Sequence, residues 1–370
     1  MHNPKENLIY AVATSGHRQS YLDTLSELFS FEPISESMSF PVFRRLLAAE
    51  RLLFATLDDN MMSFGMIAVV RSILGRPTAG LFLRAQKCFE SDRWYYALKR
   101  HAFRALRWLP GLTIASITPF DVAPRHAEVA HCGVFDPQYW DLHDGEAIRR
   151  PGRTALSEEI LARAGGRQIL CAVGTLGANK GLALLAETLE RYPDIAKSTL
   201  VVGAGRVAAE SAALAARMTT AGAMIYDSFI TDPELESLYG VADMIWVCYA
   251  PAYDQASGVF GRAMQFGVEP IVREGSMIAA FATLNGIDHL PVTYGDHEAL
   301  AGLLRSRLGR SGPTKSSFQV ARCILIGGWR RQFVRTISGA LGVTPFGKRG
   351  DREGHVTENE SYQRGRTDSC

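Results

Sequence analysis

Residues 249–272 read YAPAYDQASGVFGRAMQFGVEPIV, and the fold turns on how this stretch is read. Ser257 and Gly258 stand where a helix begins. The first backbone N–H groups of a helix have no partners within it, so anions bind well in front of them. Asp254 lies just before the turn, and Arg262 lies about one turn into the helix. The apolar run at 269–273 then reads as a short buried strand. An acid, a Ser-Gly pair and a base at the mouth of a strand–loop–helix–strand unit suit a charged ligand.

Upstream, the same alternation repeats. Strands are expected at 168–173, 199–202, 223–226 and 243–247, with helices at 182–190, from about 206 through 216, and from Asp232 onward. Pro233 sits at the start of that last helix, where a missing N–H costs nothing. The loop GTLGANKG at 174–181 follows the first of these strands and ends in Lys180 and Gly181. A lysine at the end of a Gly-rich first loop suits phosphates. The spacing is not that of a P-loop, which excludes that class of NTPase. Gly203 and Gly205 mimic a dinucleotide fingerprint, with Asp227 at about the right distance, but they follow the second strand of the unit rather than the first. A glycine turn for close packing accounts for them equally well.

The first half of the chain opens in the same style. A strand at 8–13 ends in a loop with Gly16 and His17, and a helix at 19–29 carries Tyr21, Leu22, Leu25 and Leu28 on one face. In doubly wound sheets ligands sit at the carboxyl ends of strands, so Gly16 and His17 should face a crevice. A helix is expected at 43–50 and a strand at 52–57, ending in Asp58 and Asp59. Those acids suit a substrate, or serve as turn and cap residues. Further strands are expected at 81–83, 112–117 and within 126–135, and a polar linker at 144–153. Between them, 91–109 reads as a helix in which Arg93, Lys99, Arg100, Arg104 and Arg107 flank an apolar stripe, with Trp94 and Trp108 near its ends. Such a helix is either a solvated basic face over a packed one, or a surface for an anionic membrane. Nucleic acid is disfavoured because no companion basic patch occurs elsewhere.

The bulk properties set bounds. At 370 residues, two domains are expected. A net charge of +2 implies no dominant polyanionic partner. The six cysteines are scattered without zinc-ligand spacing, which fits reduced thiols in a cytoplasmic protein. No signal-peptide pattern and no long apolar run is present. A nucleophile elbow is absent, because Ala256-Ser257-Gly258 lacks its first glycine. Residues 317–341 read as a helix kinked at Gly327-Gly328, and 346–370 is too polar to fold.

In order, Gly174-x-Leu176 to Lys180-Gly181, Gly203-x-Gly205, DPELESLYGVAD at 232–243 and SGVFGRA at 257–263 with Gly267 to Val272 resemble the donor domain of GT-B retaining glycosyltransferases, family 4. The matched pieces cover about a third of the chain. The resemblance implies an α/β protein of two Rossmann-like doubly wound domains with a cleft between them. It implies an acceptor domain at 1–150, a donor domain at 151–316 and a helical segment at 317–345 returning to the first domain. Lys180 and the N–H groups of Ser257, Gly258 and Val259 would hold the diphosphate of a nucleotide-sugar. Gly174 and Thr175 would border it, and Tyr226 and Asp227 would border the base. Gly16, His17, Asp58 and Asp59 would stand on the acceptor side. No metal or other cofactor is implied.

The family carries two glutamates with seven residues between them, for sugar and ribose. Here those positions hold Asp254 and Arg262, and the family's arginine five residues before the lysine is Thr175. Asp254 keeps the charge on a shorter arm and stands with Lys180 as the catalytic candidate. Arg262 reverses the charge, and a guanidinium can pair with phosphate. Three functions are open on this basis: transfer to a saccharide or lipid-linked acceptor in cell-surface polysaccharide or glycolipid synthesis, a non-catalytic binding protein on a degenerate GT-B fold, or a sugar-nucleotide epimerase. The expected location is the cytoplasm, with residues 91–109 resting on the inner face of the membrane.

Overall fold

The computed structural model describes residues 6–12, 17–58, 61–90, 93–143, 148, 151–306 and 317–344. The expected tail at 346–370 and most of the expected linker lie outside the described residues, as do Gly16 and Asp59.

The first unit runs β1 (Asn7–Tyr10), α1 (His17–Phe29), β2 (Glu32–Ile34), α2 (Phe40–Ala48), β3 (Arg51–Phe54), α3 (Met61–Ile73), β4 (Thr78–Phe82), α4 (Trp94–Leu106), β5 (Leu112–Ser116) and β6 (Cys132–Gly133). Its six strands are parallel in the order β2-β1-β3-β4-β5-β6. The second unit runs α5 (Ala155–Ala164), β7 (Gln168–Val173), α6 (Leu182–Arg191), α7 (Ile195–Ser198), β8 (Thr199–Ala204), α8 (Ala212–Thr220), β9 (Met224–Tyr226), α9 (Asp232–Val241), β10 (Met244–Val247), α10 (Gly258–Phe266), β11 (Glu269–Arg273), α11 (Met277–Leu284), β12 (Leu290–Val292) and α12 (His297–Ser306). Its sheet is also parallel, ordered β12-β11-β10-β7-β8-β9. The long α13 (Ser317–Leu341) follows.

Strands such as QILCAV and TLVVGA are apolar on both faces because helices cover both. One apolar cluster packs α2, α3 and α4 on the outer face of the first sheet. A second packs α6 and α12 on the outer face of the other sheet. The largest cluster is shared: α1, α9, α10, α11 and α13 meet between the two sheets with Tyr139 and Trp140 of the connecting chain. Phe135 stacks on Trp329 at 4.7 Å between ring centroids, and Trp140 meets Phe333 at 5.0 Å. At the end of α13, the Leu341 carbonyl accepts from Arg51 Nε at 3.0 Å, which ties that helix to the first sheet.

Two differences from the sequence reading have physical causes. The strand expected within 126–135 shrinks to Cys132–Gly133, preceded by a 3-10 turn at Pro124–Glu128. That turn buries His126, whose Nδ1 lies 2.9 Å from Ser116 Oγ. α3 carries no amphipathic signal in sequence, because large apolar residues occupy its outer face as well as its inner one. α13 runs unbroken through Gly327-Gly328, where a kink was expected.

Candidate functional site

Lys180 is fixed by its backbone before its side chain does anything. Trp246 Nε1 donates to the Lys180 carbonyl at 2.8 Å, and the Ala250 N–H donates to Asn179 O at 3.1 Å. Gly181 follows with φ +67°, and a Cβ there would lie 2.1 Å from the Cys248 carbonyl oxygen. Only glycine lets this turn rest on the end of β10. The half-buried ammonium then sits over the Tyr249 ring, 4.3 Å from its centroid, and 5.8 Å from that of Tyr253. Its Nζ donates to Tyr249 Oη at 3.3 Å. Tyr249 Oη is in turn 2.9 Å from Ser257 Oγ, which caps α10 by accepting from the Phe260 N–H. Burial pulls the Lys180 pKa down, the Tyr249 and Tyr253 oxygens push it up, and the balance lies above the ordinary lysine value. Among the described residues no carboxylate pairs with Lys180. A held cation without a counter-charge, joined through one hydroxyl to a helix start, forms a site for an anion.

The helix start is narrower than the sequence suggested. The Gln138 side chain packs against Gly258, where a Cβ would meet its Oε1 at 2.0 Å. Gly261 faces Tyr139 and the Gln138 carbonyl in the same way. Val259 stays half-buried at the opening turn.

Asp254 and Arg262 are both engaged. Asp254 Oδ1 accepts from Arg273 at 3.0 Å and from the Met277 N–H at 2.9 Å, and its side chain remains 40% exposed. Arg262 donates to Asp141 Oδ2 at 2.6 Å, and Gln265 Nε2 donates to Asp141 Oδ1 at 2.9 Å. Burial lowers the Arg262 pKa, Asp141 foremost among its neighbours raises it, and the balance lies above the ordinary arginine value. Arg262 therefore joins the connecting chain rather than the Lys180 group. It lines a polar cavity of about 520 Å³ between the units, together with Ser20 and Thr24 of α1, Asp141, Thr154 and Glu236.

Asp227 Oδ1 accepts from the Val207 N–H at 2.7 Å, which orders the loop after β8. Tyr226 is turned toward α5, where burial first and the Glu159 carboxylate second push its hydroxyl up to about 12. Gly174 and Thr175 are exposed at the end of β7. Gly205 approaches Gly174 so closely that a Cβ would lie 1.9 Å from its carbonyl oxygen. Gly205 thus serves contact between two loops, while Gly203, in β8, lies under the Ile225 and Leu176 side chains.

On the first unit, Asp58 is turned inward. Its Oδ2 accepts from the N–H groups of Leu83 and Arg84 at 2.9 and 3.1 Å, and Lys99 Nζ lies 3.4 Å from Oδ1. Burial raises its pKa against Lys99 and those N–H groups. His17 begins α1, and its side chain is outside the description. Across the cleft mouth, Gln86 Nε2 donates to Gln255 Oε1 at 3.0 Å.

Sequence reasoning missed Tyr249, Asp141 and Arg273. Tyr249 was visible as the aromatic just beyond a strand end. Asp141 lies between the strand expected within 126–135 and the linker expected at 144–153, in a stretch with no motif of its own. Among the described residues no group of three His, Cys, Asp or Glu side chains could hold a metal, and the five described cysteines are unpaired.

No protein-family model matches the chain, and neither does any curated protein sequence. Solved structures do match. Anabaena Alr3699/HepE in complex with UDP aligns with a TM-score of 0.61 at 12% identity, over 90% of this chain and 100% of that one. The same protein is also known in complex with UDP-glucose. The fold is GT-B. A glycosyltransferase from Rickettsia africae ESF-5 aligns with a TM-score of 0.61 at 12% identity, over 92% of this chain and 100% of that one. A UDP-forming trehalose-phosphate synthase from Burkholderia xenovorans aligns at 0.50 and 12%, over 83% and 80%. At such identity the likeness is one of fold, two Rossmann-like units facing a cleft.

Proposed function

We propose that the protein is a glycosyltransferase that moves a sugar from a nucleotide-sugar, with retention, to a saccharide or lipid-linked acceptor in polysaccharide or glycolipid synthesis. The observation that carries this is the Lys180 ammonium, which no carboxylate among the described residues pairs with, linked through Tyr249 to the Ser257-capped start of α10. In this reading Lys180 and the N–H groups of Gly258 and Val259 hold the diphosphate. Negative charge grows on that group as the sugar leaves, and fixed positive potential lowers the barrier. Asp254, oriented by Arg273 and the Met277 N–H, accepts from the sugar hydroxyls. Asp227 and the Tyr226 backbone border the base, with Gly174 and Thr175 alongside. The acceptor enters from the side of Gly16, His17, Asp58 and Asp59. UDP is the first nucleotide to try, since the structures of similar fold hold it.

The deciding experiment is donor turnover. UDP should raise the melting temperature, and UDP-glucose or a related donor should be hydrolysed or transferred with an α-anomeric product by NMR. No divalent metal is required in this reading, so EDTA should leave the rate unchanged. A protein that binds no nucleotide refutes the proposal. The engaged state of Arg262 and Asp254 favours a second reading, a binding protein on a degenerate fold. It predicts a thermal shift without turnover. An epimerase would form product with no acceptor present.

A further inference from the structure

Among the described residues, nothing covers the outer face of α3. Along α3, Met62, Met66, Val69 and Ile73 recur at helical spacing and point to solvent, Met62 at 79% and Ile73 at 80% exposure, with Val70 and Leu74 beside them. Beside α3 lies α4. Phe64 and Phe103 stack beneath the pair at 6.2 Å, and Gly65 faces Leu106. From the neighbouring α4 and the turn after it, Trp94, Leu98 and Trp108 are also exposed, the two tryptophans at 79% and 87%. Large exposed apolar side chains gathered on one helix face mark an interaction site.

The charge around this face selects its occupant. Residues 61–110 carry nine Lys and Arg against Glu90 and Asp92 alone, so this stretch holds +7 in a chain of net +2. Arg71 is buried, Lys99 pairs with Asp58 and Arg104 with Glu128. Arg76, Arg84, Arg100 and Arg107 have no carboxylate partner among the described residues. A second copy of this chain would bring the same positive charge against itself. An anionic lipid surface supplies the opposite charge, takes methionine and isoleucine into its acyl boundary, and seats tryptophan at its headgroups.

We infer that the combined α3–α4 face docks on an anionic bilayer, with α3 supplying the inserted side chains and α4 the aromatic and cationic rim. The orientation that follows is informative. The turn leading into α4 contains Gln86, which bonds to Gln255 in the second unit's site loop. The docked face therefore sets the cleft mouth beside the headgroups. Docking is separate from nucleotide binding, so either property can fail without the other.

Co-sedimentation with vesicles tests this on the full chain. The protein should pellet with phosphatidylcholine vesicles containing phosphatidylglycerol, pellet poorly with phosphatidylcholine alone, and release as salt rises. Met66→Glu combined with Ile73→Glu should weaken binding about tenfold or more. Both positions are exposed, so the melting temperature should stay unchanged, and Trp94→Ala with Trp108→Ala gives an independent check. Equal binding to both vesicle types, no binding, or full binding by the α3 variant overturns the inference. So does light scattering that finds a dimer broken by the α3 variant without any vesicle binding, since the face would then join two copies.

Discussion

At the scale of single residues, the site rests on a cation that no carboxylate among the described residues neutralises. Lys180 is half-buried against two tyrosine rings, and its Nζ donates to the Tyr249 hydroxyl. A phosphate oxygen in front of Ser257 would complete the set. Lys180→Ala should therefore abolish most of the UDP-dependent rise in melting temperature and cut kcat/KM for donor turnover by about 100-fold. Tyr249→Phe keeps the ring under the ammonium and removes one hydrogen bond, so a loss of about fivefold is expected. If Lys180→Ala binds UDP as tightly as the parent, the anion site is elsewhere. Lys180 was legible in the sequence because its place at the end of a Gly-rich loop states its chemistry. Tyr249 was not, because its role depends on β10 ending beside the 174–181 loop, a juxtaposition made only by the folded sheet.

At the scale of elements, the strands of the second unit from β7 to β11 could be read from the sequence to within about two residues, whereas α8 begins at Ala212 rather than near 206, and α5, α11 and α12 were not anticipated. Its strands are uniformly apolar runs, and its helices begin at recognisable caps such as Thr231 with Glu234. α3 hid for the opposite reason. Its exposed face is as apolar as its buried one, so no 3.6-residue periodicity separates them. The fingerprint-like glycines at 203–205 show how one pattern serves two physical ends. Gly205 has φ +143°, and a Cβ would strike Gly174 O at 1.9 Å. Gly205→Ala should then cost about 3 kcal/mol or more in urea unfolding, by combining an unfavourable backbone region with a steric clash. Gly152→Ala, in open space, should be close to neutral. Equal stabilities for the two variants would contradict the close loop contact.

At the scale of the whole molecule, the two units are joined through buried polar groups on the connecting chain. Asp136 is fully enclosed with Tyr21 of α1, and burial pushes its carboxyl up to about 6, against the Tyr21 and Gln138 bonds that lower it. A carboxyl with a raised native pKa holds its proton more tightly in the folded state than in the unfolded chain. Its contribution to stability is present below about pH 4 and is lost as pH rises through 6. The unfolding free energy of the parent, relative to Asp136→Asn, should fall across that window, and a flat difference would mean that Asp136 is solvated. The neighbouring pair carries the sharper test. Arg262 pairs with Asp141 of the connecting chain, with side-chain exposures of 16% and 5%. No local pattern reveals this bond, because the two residues lie 121 positions apart. Arg262→Glu alone would place two carboxylates together in a poorly solvated place and should cost about 3–5 kcal/mol. Asp141→Lys alone should cost a similar amount. Combined, they restore opposite charges, and most of the loss should return, short of full recovery because Gln265 Nε2 would then face the lysine. Strictly additive losses in the double variant would show that Arg262 and Asp141 act separately and that the pair does not hold the units together.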